Sequence, residues 1–443
     1  MKRKLLKQIA NEWKSNTWLA IELLIVSVVV YFLASFLWMK TELMLQPLGM
    51  ETDNCFMIDV SYVGYDSPSH EDADSTDATG VENVRILLDR LKSLPQVESA
   101  AFVNNGVPYE QSFNGRTFSS VNGPDTIMTT GINTYYVSPD YVKVLRIRGT
   151  NGETSEELAS MLEKGKVLVS EKITVARLAD IHKIDQQNAD DWRRIVYQIS
   201  GDSLKNAVFS TSTPWDEDED DGERYVIATA VPNIKRTEFE TPGENFIVPV
   251  NLNSLEVINC RILVRVRPEA RETFRDDILS HSNDLFRSGN RFFSNVTELS
   301  KIKQRNQAEE YDIMGYFLII IAFLLICIFL GLLGTFWFRT QQRIGEIAVR
   351  KVNGATSGQI FRRLIGEGIL LLAIVTPVAA ALDWLISNTM LSENPEFIAD
   401  KITTFIAAVV ITFGLLAAMI ALGIWFPATR AMKIDPALAL KDE

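Results

Sequence analysis

The sequence is poor in the residues on which catalysis and metal binding usually depend. Its 443 residues include three histidines and three cysteines, and it contains no His-Glu-x-x-His, Gly-x-Ser-x-Gly or cysteine-rich metal motif. It also lacks the Gly-x-x-x-x-Gly-Lys-Ser/Thr loop that holds nucleotide phosphates in ATPases. These absences predict a non-catalytic protein that has no cofactor and no metal site and does not hydrolyse ATP by itself. They also exclude a protease or a sensor kinase.

The few cysteines leave two interpretations open. Cys55 and Cys260 each stand at the start of a predicted strand and could pair in an oxidising compartment, although two cysteines do not establish a bridge. Cys327 lies in a long apolar run, where we expect a buried thiol that acts as a small apolar residue.

Basic residues are outnumbered, and the excess acid is concentrated in one region. The chain has 44 Lys and Arg against 56 Asp and Glu, a net charge of −12. Residues 41–311 hold 44 acidic and 28 basic residues, so the remaining segments are basic overall. This balance does not favour binding of nucleic acid. The apolar content of 47% and the mean hydropathy of +0.06 predict a chain that is partly soluble and partly in a membrane.

Two acidic clusters raise the possibility of a calcium site. One contains His70, Glu71, Asp72, Asp74 and Asp77, and the other is the run Asp216 to Asp221. Neither has the spacing of oxygen ligands around a glycine bend that calcium loops use. We interpret both clusters as solvated loops.

Four apolar runs are long enough to cross a membrane, for which about 20 residues are needed. They span residues 18–39, 313–338, 364–385 and 403–426. The first run is longer than the apolar core of a secretory signal, so we interpret it as an uncleaved anchor.

Three residues within these runs break the apolar pattern. Pro377 lies inside the third run and predicts a kink. Asp383 lies near the outer end of the same run, where we expect water to reach it. Glu22 could reach the membrane interface or pair within the helix bundle, and its position one turn from the helix end favours the interface.

Basic segments predict the orientation, because short loops rich in Lys and Arg stay in the cytoplasm. This rule places residues 1–17, 339–363 and 427–443 inside the cell and residues 41–311 outside. Residues 1–17 also carry basic and apolar side chains at the spacing of an amphipathic helix that lies on membrane lipid. A charged start that only fixes the topology explains the same pattern.

The outer region contains two strand-helix-strand patterns, at its beginning and at its end. The predicted strands are 56–63, 97–103, 261–266 and 292–296, and the predicted helices are 84–94 and 269–286. We expect these elements to share one sheet in an α/β subdomain of residues 50–149 plus 243–300. Residues 150–242, with a predicted helix at 155–164 and strands at 166–170 and 224–231, are interpreted as an inserted subdomain. Residues 296–311 predict a helical stalk that continues into the second span, or else a simple linker.

The loop between the second and third spans has the most informative pattern. It carries Arg339, Arg343, Arg350, Lys351, Arg362 and Arg363 against only Glu346 and Glu367. Ile344, Ile347, Ala348 and Val352 recur at helical spacing. Asn353 and Gly354 tolerate positive φ and would end such a helix. The loop therefore predicts a short amphipathic helix, a tight turn and re-entry into the membrane.

This loop closely resembles the cytoplasmic loop of the MacB-like and FtsX-like ABC transporter permeases, whose pattern is R-x-x-E-I-x-x-R-(K/R)-x-x-G-A followed by an aromatic residue and a Glu. The matching residues are Arg343, Glu346, Ile347, Arg350, Lys351, Gly354, Ala355, Phe361 and Glu367. Asn353 stands where the family more often has Leu. The closing segment resembles the family's last motif through Pro427, Ala431, Pro436, Ala439 and Leu440, and Val137 to Leu145 resembles its periplasmic core.

The resemblance implies a multi-pass α-helical membrane protein with four transmembrane helices and a large α/β extracytoplasmic domain inserted between helices 1 and 2. Residues 41–311 would be a MacB-like periplasmic core domain, followed by an FtsX-like permease domain without a fused ATPase. The protein would lie in the bacterial inner membrane with both termini in the cytoplasm. The resemblance further implies a separate cytoplasmic ABC ATPase, a second permease copy that is identical or a paralogue, and possible contact with a periplasmic adaptor or an outer-membrane channel.

In this family the ATPase docks on the short loop helix, called the coupling helix. The resemblance assigns that role to Arg343, Glu346, Ile347, Arg350, Lys351, Val352, Asn353, Gly354, Ala355 and Thr356. Ile347, Val352 and Ala355 would be the apolar contacts, and Arg343, Arg350 and Lys351 the polar ones. ATP hydrolysis would then move the periplasmic domain and drive export of an antimicrobial, a peptide or a similar molecule. A lipoprotein-releasing permease and an activator of a cell-wall hydrolase are the alternatives.

Overall fold

The computed structural model describes residues 13–71, 76–121, 126–129, 131–181, 183, 192, 194–211, 222–253, 257, 260–342, 344–390 and 401–433. Several sequence-based expectations fall outside these residues: most of segment 1–17, part of the first acidic cluster, all of Asp216–Asp221, Arg343, and the motif positions Pro436, Ala439 and Leu440. The chain divides into two compact units, Leu45–Ala308 and a second one formed by Met1–Met44 with Glu309–Glu443.

Unit Leu45–Ala308, the sheet unit, follows helix α1 (Trp13–Leu45) and is built on one sheet of fifteen short strands within the described residues. The strands are β1 (Cys55–Tyr62), β2 (Val97–Val103), β3 (Gly115–Arg116), β4 (Ser119–Ser120), β5 (Ile127–Thr129), β6 (Ile132–Val137), β7 (Lys166–Ser170), β8 (Lys172–Arg177), β9 (Val196–Ser200), β10 (Val208–Ser210), β11 (Arg224–Val231), β12 (Asn245–Pro249), β13 (Arg261–Val266), β14 (Arg287–Ser288) and β15 (Arg291–Glu298). Its helices are α2 (Asp77–Lys92), α3 (Tyr141–Val144), α4 (Ser155–Glu163), α5 (Leu178–Ile181) and α6 (Phe274–Ser280).

The strand order is β14-β15-β1-β13-β2-β6-β12-β7-β11-β10-β4-β5-β8-β9, with β3 paired to β6. The two ends of the region meet in this order as predicted, because β1 pairs with both β13 and β15. The middle of the region does not pair as a separate subdomain inserted at residue 150, which was the prediction. Strands β4 and β5 precede that residue yet pair with β10 and β8, and β12 joins β6 to β7. The described strands between residues 150 and 242 thus pair into a common sheet, which leaves fewer exposed strand edges than a separate sheet would.

Apolar side chains cover both faces of the sheet. On one face α2 and α6 contribute Val84, Leu87 and Phe274 to a buried cluster, and on the other α3 and α4 contribute Tyr141 and Leu158 to a second. The predicted helix 269–286 is shorter than expected. A 3₁₀ turn at Pro268–Ala270 precedes α6, and α6 ends at Ser280.

The two outer cysteines lie on opposite faces of this sheet. Cys55 belongs to the cluster around Tyr141 and Cys260 to the cluster around Phe274. Both cysteines are buried and neither forms a disulfide, so the disulfide interpretation is wrong. Burial raises the pKa of Cys55 to about 12, although Arg265 and Arg146 oppose the shift.

The second unit, formed by Met1–Met44 and Glu309–Glu443, is called the membrane unit. Its described residues include four helices that are long and apolar enough to cross a membrane. They are α1, α7 (Leu299–Gln342), α9 (Ser357–Met390) and α10 (Lys401–Lys433), with the short α8 (Ile344–Val352) between α7 and α9. Helix α7 starts directly after β15, and its first residues belong to the sheet unit. The expected fold class, four membrane helices with a large sheet-rich domain between the first and the later ones, is confirmed.

Three expectations for side chains in the membrane unit are corrected. Asp383 is 1% exposed, so the expectation that water reaches it is wrong. Cys327 is exposed on α7 and is not a core residue. Glu22 lies against the backbone of Gly331, where an added Cβ would approach its Oε1 to 2.5 Å. The contact with Gly331 supports the bundle interpretation of Glu22 over the interfacial one.

Candidate functional site

The short helix α8 has two distinct faces. Ile347 is 6% exposed and Ala348 is fully buried, whereas Glu346, Val349 and Val352 are exposed. Ile347 belongs to the apolar cluster that also contains Ile360 and Leu364 of α9 and residues of α1, α7 and α10. The helix is therefore anchored in the membrane unit by one face and presents the other face outward. Such an arrangement follows from apolar residues spaced to fall on one side of a short helix.

A glycine turn ends α8 in a defined way. Gly354 has φ +86°, a conformation that side chains with a Cβ seldom adopt. The amide of Gly354 donates to the carbonyl oxygen of Lys351 and the amide of Ala355 donates to that of Arg350, both over 3.0 Å. These two bonds form the Schellman motif, which satisfies the last carbonyl groups of a helix. The predicted stop at Asn353 and Gly354 is confirmed.

Helix α9 begins immediately beyond the turn with a reciprocal cap. The amide of Gln359 donates to Thr356 Oγ1 over 3.4 Å, and the amide of Thr356 donates to Gln359 Oε1 over 3.2 Å. This pattern satisfies two amide groups that have no partner within the helix. Two caps within a few residues fix the path of the chain between α8 and α9.

Charged side chains on the outward face are paired along the helix. Arg350 donates to Glu346 Oε1, with Nη2 at 2.5 Å, and each side chain is about two-fifths exposed. On α9 the Arg363 guanidinium lies 3.5 Å from Oε1 of the Glu367 side chain, which is only 12% exposed. The exposed Glu346–Arg350 pair contributes only about 0.3–0.5 kcal/mol to its helix, so its main effect is to set the charge pattern of the surface.

Aromatic residues that the sequence analysis did not single out surround the same end of the bundle. The rings of Trp337 on α7 and Phe426 on α10 stack 5.6 Å apart, and the Arg430 guanidinium lies 4.7 Å from the Trp337 ring centroid. Phe361 and Trp425 meet edge to face at 5.4 Å. Their signal in the sequence is the clustering of Trp, Phe and Arg at the ends of apolar runs, where such side chains meet the membrane interface.

The structure divides the predicted docking residues into two groups. Glu346, Val352, Asn353, Gly354 and Thr356 are exposed, and Arg350, Lys351 and Ala355 are partly so. Ile347 is an internal anchor and does not present a surface for a partner, whereas Val349, which was not among the predicted residues, is 48% exposed. Residues three and four apart lie on one face of a helix, so the spacing of Glu346, Val349 and Asn353 could have predicted that Val349 is on the exposed face. Arg343 lies outside the described residues.

Nothing in this arrangement resembles a reactive centre. Within the described part of the chain, no group of three or more His, Cys, Asp and Glu side chains is placed to hold a metal ion. The surface consists of two exposed valines, an ion pair, a rigid turn and an aromatic border. A surface of this kind can bind another protein.

Comparison with known proteins places a family domain on this part of the chain. Residues 318–436 match the model of the FtsX-like permease C-terminal family, which covers α8, the turn and most of the membrane unit. Among solved structures, the chain is similar to the periplasmic region of MacB from Actinobacillus actinomycetemcomitans at 11% identity, covering 59% of this chain and 96% of that one, with a TM-score of 0.27. No curated protein matches the chain.

Proposed function

We infer from the FtsX-like permease domain at residues 318–436 that this chain is the non-catalytic membrane subunit of an ABC transporter. Permeases of this family generally work with an ABC ATPase. Residues 1–443 contain no phosphate-binding loop, and a separate cytoplasmic subunit is the ATPase in this proposal. The exposed face of α8 and the turn that follows it form its docking surface, defined here as Glu346, Val349, Arg350, Val352 and Asn353.

The observation that carries this proposal is the division of α8 into an anchored and an exposed face. The buried Ile347 holds the helix in the apolar cluster of the bundle, so a force on the exposed face reaches α9 through packed side chains. The Schellman turn at Gly354 and the cap at Thr356 connect the two helices with little freedom. A short helix of this kind can seat in a groove of a partner through its apolar positions.

Orientation follows from the same proposal. Docking of a cytoplasmic ATPase places α8 inside the cell, and the sheet unit, which lies between α1 and α7 along the chain, is then periplasmic. Both termini lie in the cytoplasm, and the membrane is the bacterial inner membrane. The four apolar helices and the family match support this arrangement.

Helix α7 is the element that transmits the motion. Its 44 residues extend about 66 Å at a rise of 1.5 Å each. Leu299 and Ile302 belong to a core of the sheet unit, and Ile328 and Leu332 belong to the core of the membrane unit. Coupling requires that each nucleotide state of the ATPase favour a different conformation of the permease.

A second permease copy completes the proposed transporter. The transporter exports an antimicrobial, a peptide or a similar molecule, and a periplasmic adaptor or an outer-membrane channel is a further partner.

The test is co-purification of the full-length protein from detergent extracts of its own host membranes. We compare the wild type with the double variant Val349→Asp, Val352→Asp and with Val121→Asp, which places the same substitution on an exposed valine of the sheet unit. We expect the wild type and Val121→Asp to retain a protein with a phosphate-binding loop and ATP hydrolysis activity. The double variant should lose both while keeping its thermal unfolding midpoint. Equal recovery of the ATPase with all three proteins would overturn the proposed docking surface.

A further inference from the structure

An arginine of the membrane unit lies against two aromatic rings at the point where α7 and α10 meet. The ring of Phe426 on α10 stacks on that of Trp337 on α7, with an angle of 13° between the ring planes. The Arg430 guanidinium lies 4.7 Å from the Trp337 centroid and 5.9 Å from the Phe426 centroid. Cation–π contacts with rings of two helices hold the guanidinium at this position. We call Trp337, Phe426 and Arg430 the arginine platform.

The arginine platform lies at the end of two uncharged helical stretches. On α10 no charged residue stands between Lys401 and Arg430, and on α7 none stands between Asp312 and Arg339. Tryptophan and arginine side chains at the ends of such stretches lie at the level of the lipid headgroups. Leu422, two helical turns before Arg430, is exposed on the uncharged part of α10. The guanidinium therefore stands beside exposed apolar surface at the edge of the membrane.

Carboxylates of the described residues do not balance the charge of this guanidinium. Arg430 is exposed, and within the part of the chain that the structure describes it forms no ion pair and no hydrogen bond through its guanidinium. At the same end of the bundle, Glu346 pairs with Arg350 on α8, and Glu367 lies beside Arg363 on α9. The arginine platform thus presents a fixed positive charge that an anionic ligand can reach.

We propose that the arginine platform binds the headgroup phosphate of an anionic phospholipid, whose acyl chains lie along the exposed apolar surface of α10. A guanidinium can donate two parallel hydrogen bonds to phosphate oxygens, and its contacts with aromatic rings do not use these donors. Because Trp337 and Phe426 belong to different helices, the bound lipid also holds the ends of α7 and α10 together. The proposal depends neither on a partner ATPase nor on the side of the membrane at which α8 lies.

The experiment is native mass spectrometry of the full-length protein in detergent, after removal of co-purified lipid. Phosphatidylglycerol and phosphatidylcholine with the same acyl chains are titrated separately, and circular dichroism confirms that each variant is folded. We expect the wild type to prefer phosphatidylglycerol. Arg430→Gln should lower the affinity for this lipid about ten-fold, because hydrogen bonds to a charged group are lost. Glycerol phosphate, which has the charge but no acyl chains, should not displace the lipid at an equal concentration.

Two further variants separate this site from a general attraction between charges. Arg362→Gln removes an exposed arginine of α9 that donates to the carbonyl oxygen of Gly358, and it should retain the wild-type affinity. Trp337→Leu keeps Arg430 but removes a ring beneath it, and it should weaken binding of phosphatidylglycerol. Equal losses in Arg362→Gln and Arg430→Gln would overturn the proposal. So would an unchanged affinity of Arg430→Gln, which is the result expected if a carboxylate of residues 434–443 pairs with Arg430.

Discussion

The amide of Gly354 donates a hydrogen bond to the carbonyl oxygen of Lys351 over 3.0 Å, while Gly354 itself has φ +86°. This bond closes the C-terminus of α8 and turns the chain towards α9. Within α8, Val352 is exposed and Ile347 lies in the core. The turn therefore follows directly on the exposed end of the docking surface.

Gly354→Ala should weaken this turn. An added Cβ meets no atom within 4 Å, so the effect comes from the backbone conformation alone and should cost about 1–2 kcal/mol of local stability. Gly358→Ala is the control, because that glycine is helical with open space around it and gains about 0.5–1 kcal/mol from alanine. The exchange rate of the Ala355 amide hydrogen measures the stability of the turn in each of the two variants and in the wild type. Slower exchange in Gly354→Ala than in the wild type would contradict the account of the turn.

Arg265 should be essential to the sheet unit. It is 2% exposed, and its guanidinium donates to the carbonyl oxygens of Val144, Asp53 and Glu51 over 2.6–2.8 Å. Arg265→Met leaves three carbonyl groups without this donor and should cost about 3 kcal/mol. Faster hydrogen exchange at residues 51–54 of the full-length protein is the expected result. Arg267→Met, at an exposed position two residues away, should leave that exchange unchanged.

None of the three cysteines should form a disulfide. Cys55 and Cys260 lie in clusters on opposite faces of the sheet, so they cannot meet without unfolding. Full denaturation without a reductant, followed by alkylation and intact-mass measurement, should add three alkyl groups to the chain. A mass that corresponds to one alkyl group would show a bridge. In the native protein the high pKa of Cys55 and its burial should prevent its alkylation at neutral pH.

Asp140 should make the sheet unit sensitive to acid. Burial opposes its ionisation, but hydrogen bonds from Lys92 at 2.5 Å and Lys143 at 2.9 Å outweigh burial and hold the pKa of Asp140 below its usual range. The stabilisation is present above the unfolded pKa of about 3.9 and is lost as pH falls through the lower folded pKa. Asp140→Asn should therefore lower the unfolding midpoint at neutral pH and reduce its further loss in acid. Asp284→Asn, at an exposed aspartate, should retain the wild-type pH profile.

Much of this architecture follows from local patterns in the sequence. The strands Val97–Val103, Lys166–Ser170, Arg224–Val231 and Arg261–Val266 have the predicted bounds, because compact apolar runs between turn residues define them locally. The turn at Gly354 was predicted for the same kind of reason, since Asn-Gly tolerates positive φ.

Expectations that depended on packing between distant segments were less accurate. The pairing of β4 with β10 and of β5 with β8 joins segments far apart in sequence, and periodicity contains no information about such partners. Ile347 was predicted as an apolar contact for a partner, and in the structure it is 6% exposed and packs in the bundle. Sequence alone does not distinguish these two surroundings, because an apolar residue on an amphipathic helix can face its own bundle or a partner. Asp383 was placed near water from its position along the run, but it is buried, and position along a run does not show which side chains pack over a residue.

The central claim is that the exposed face of α8 contacts a cytoplasmic ATPase. Its most direct test is a photo-crosslinking amino acid at position 352 of the full-length protein in host membranes, with position 121 of the sheet unit as the control site. We predict a light-dependent adduct from position 352 that contains a protein with a phosphate-binding loop, and no such adduct from position 121. Failure of position 352 to form that adduct, in a protein that is folded and in the membrane, would contradict the claim.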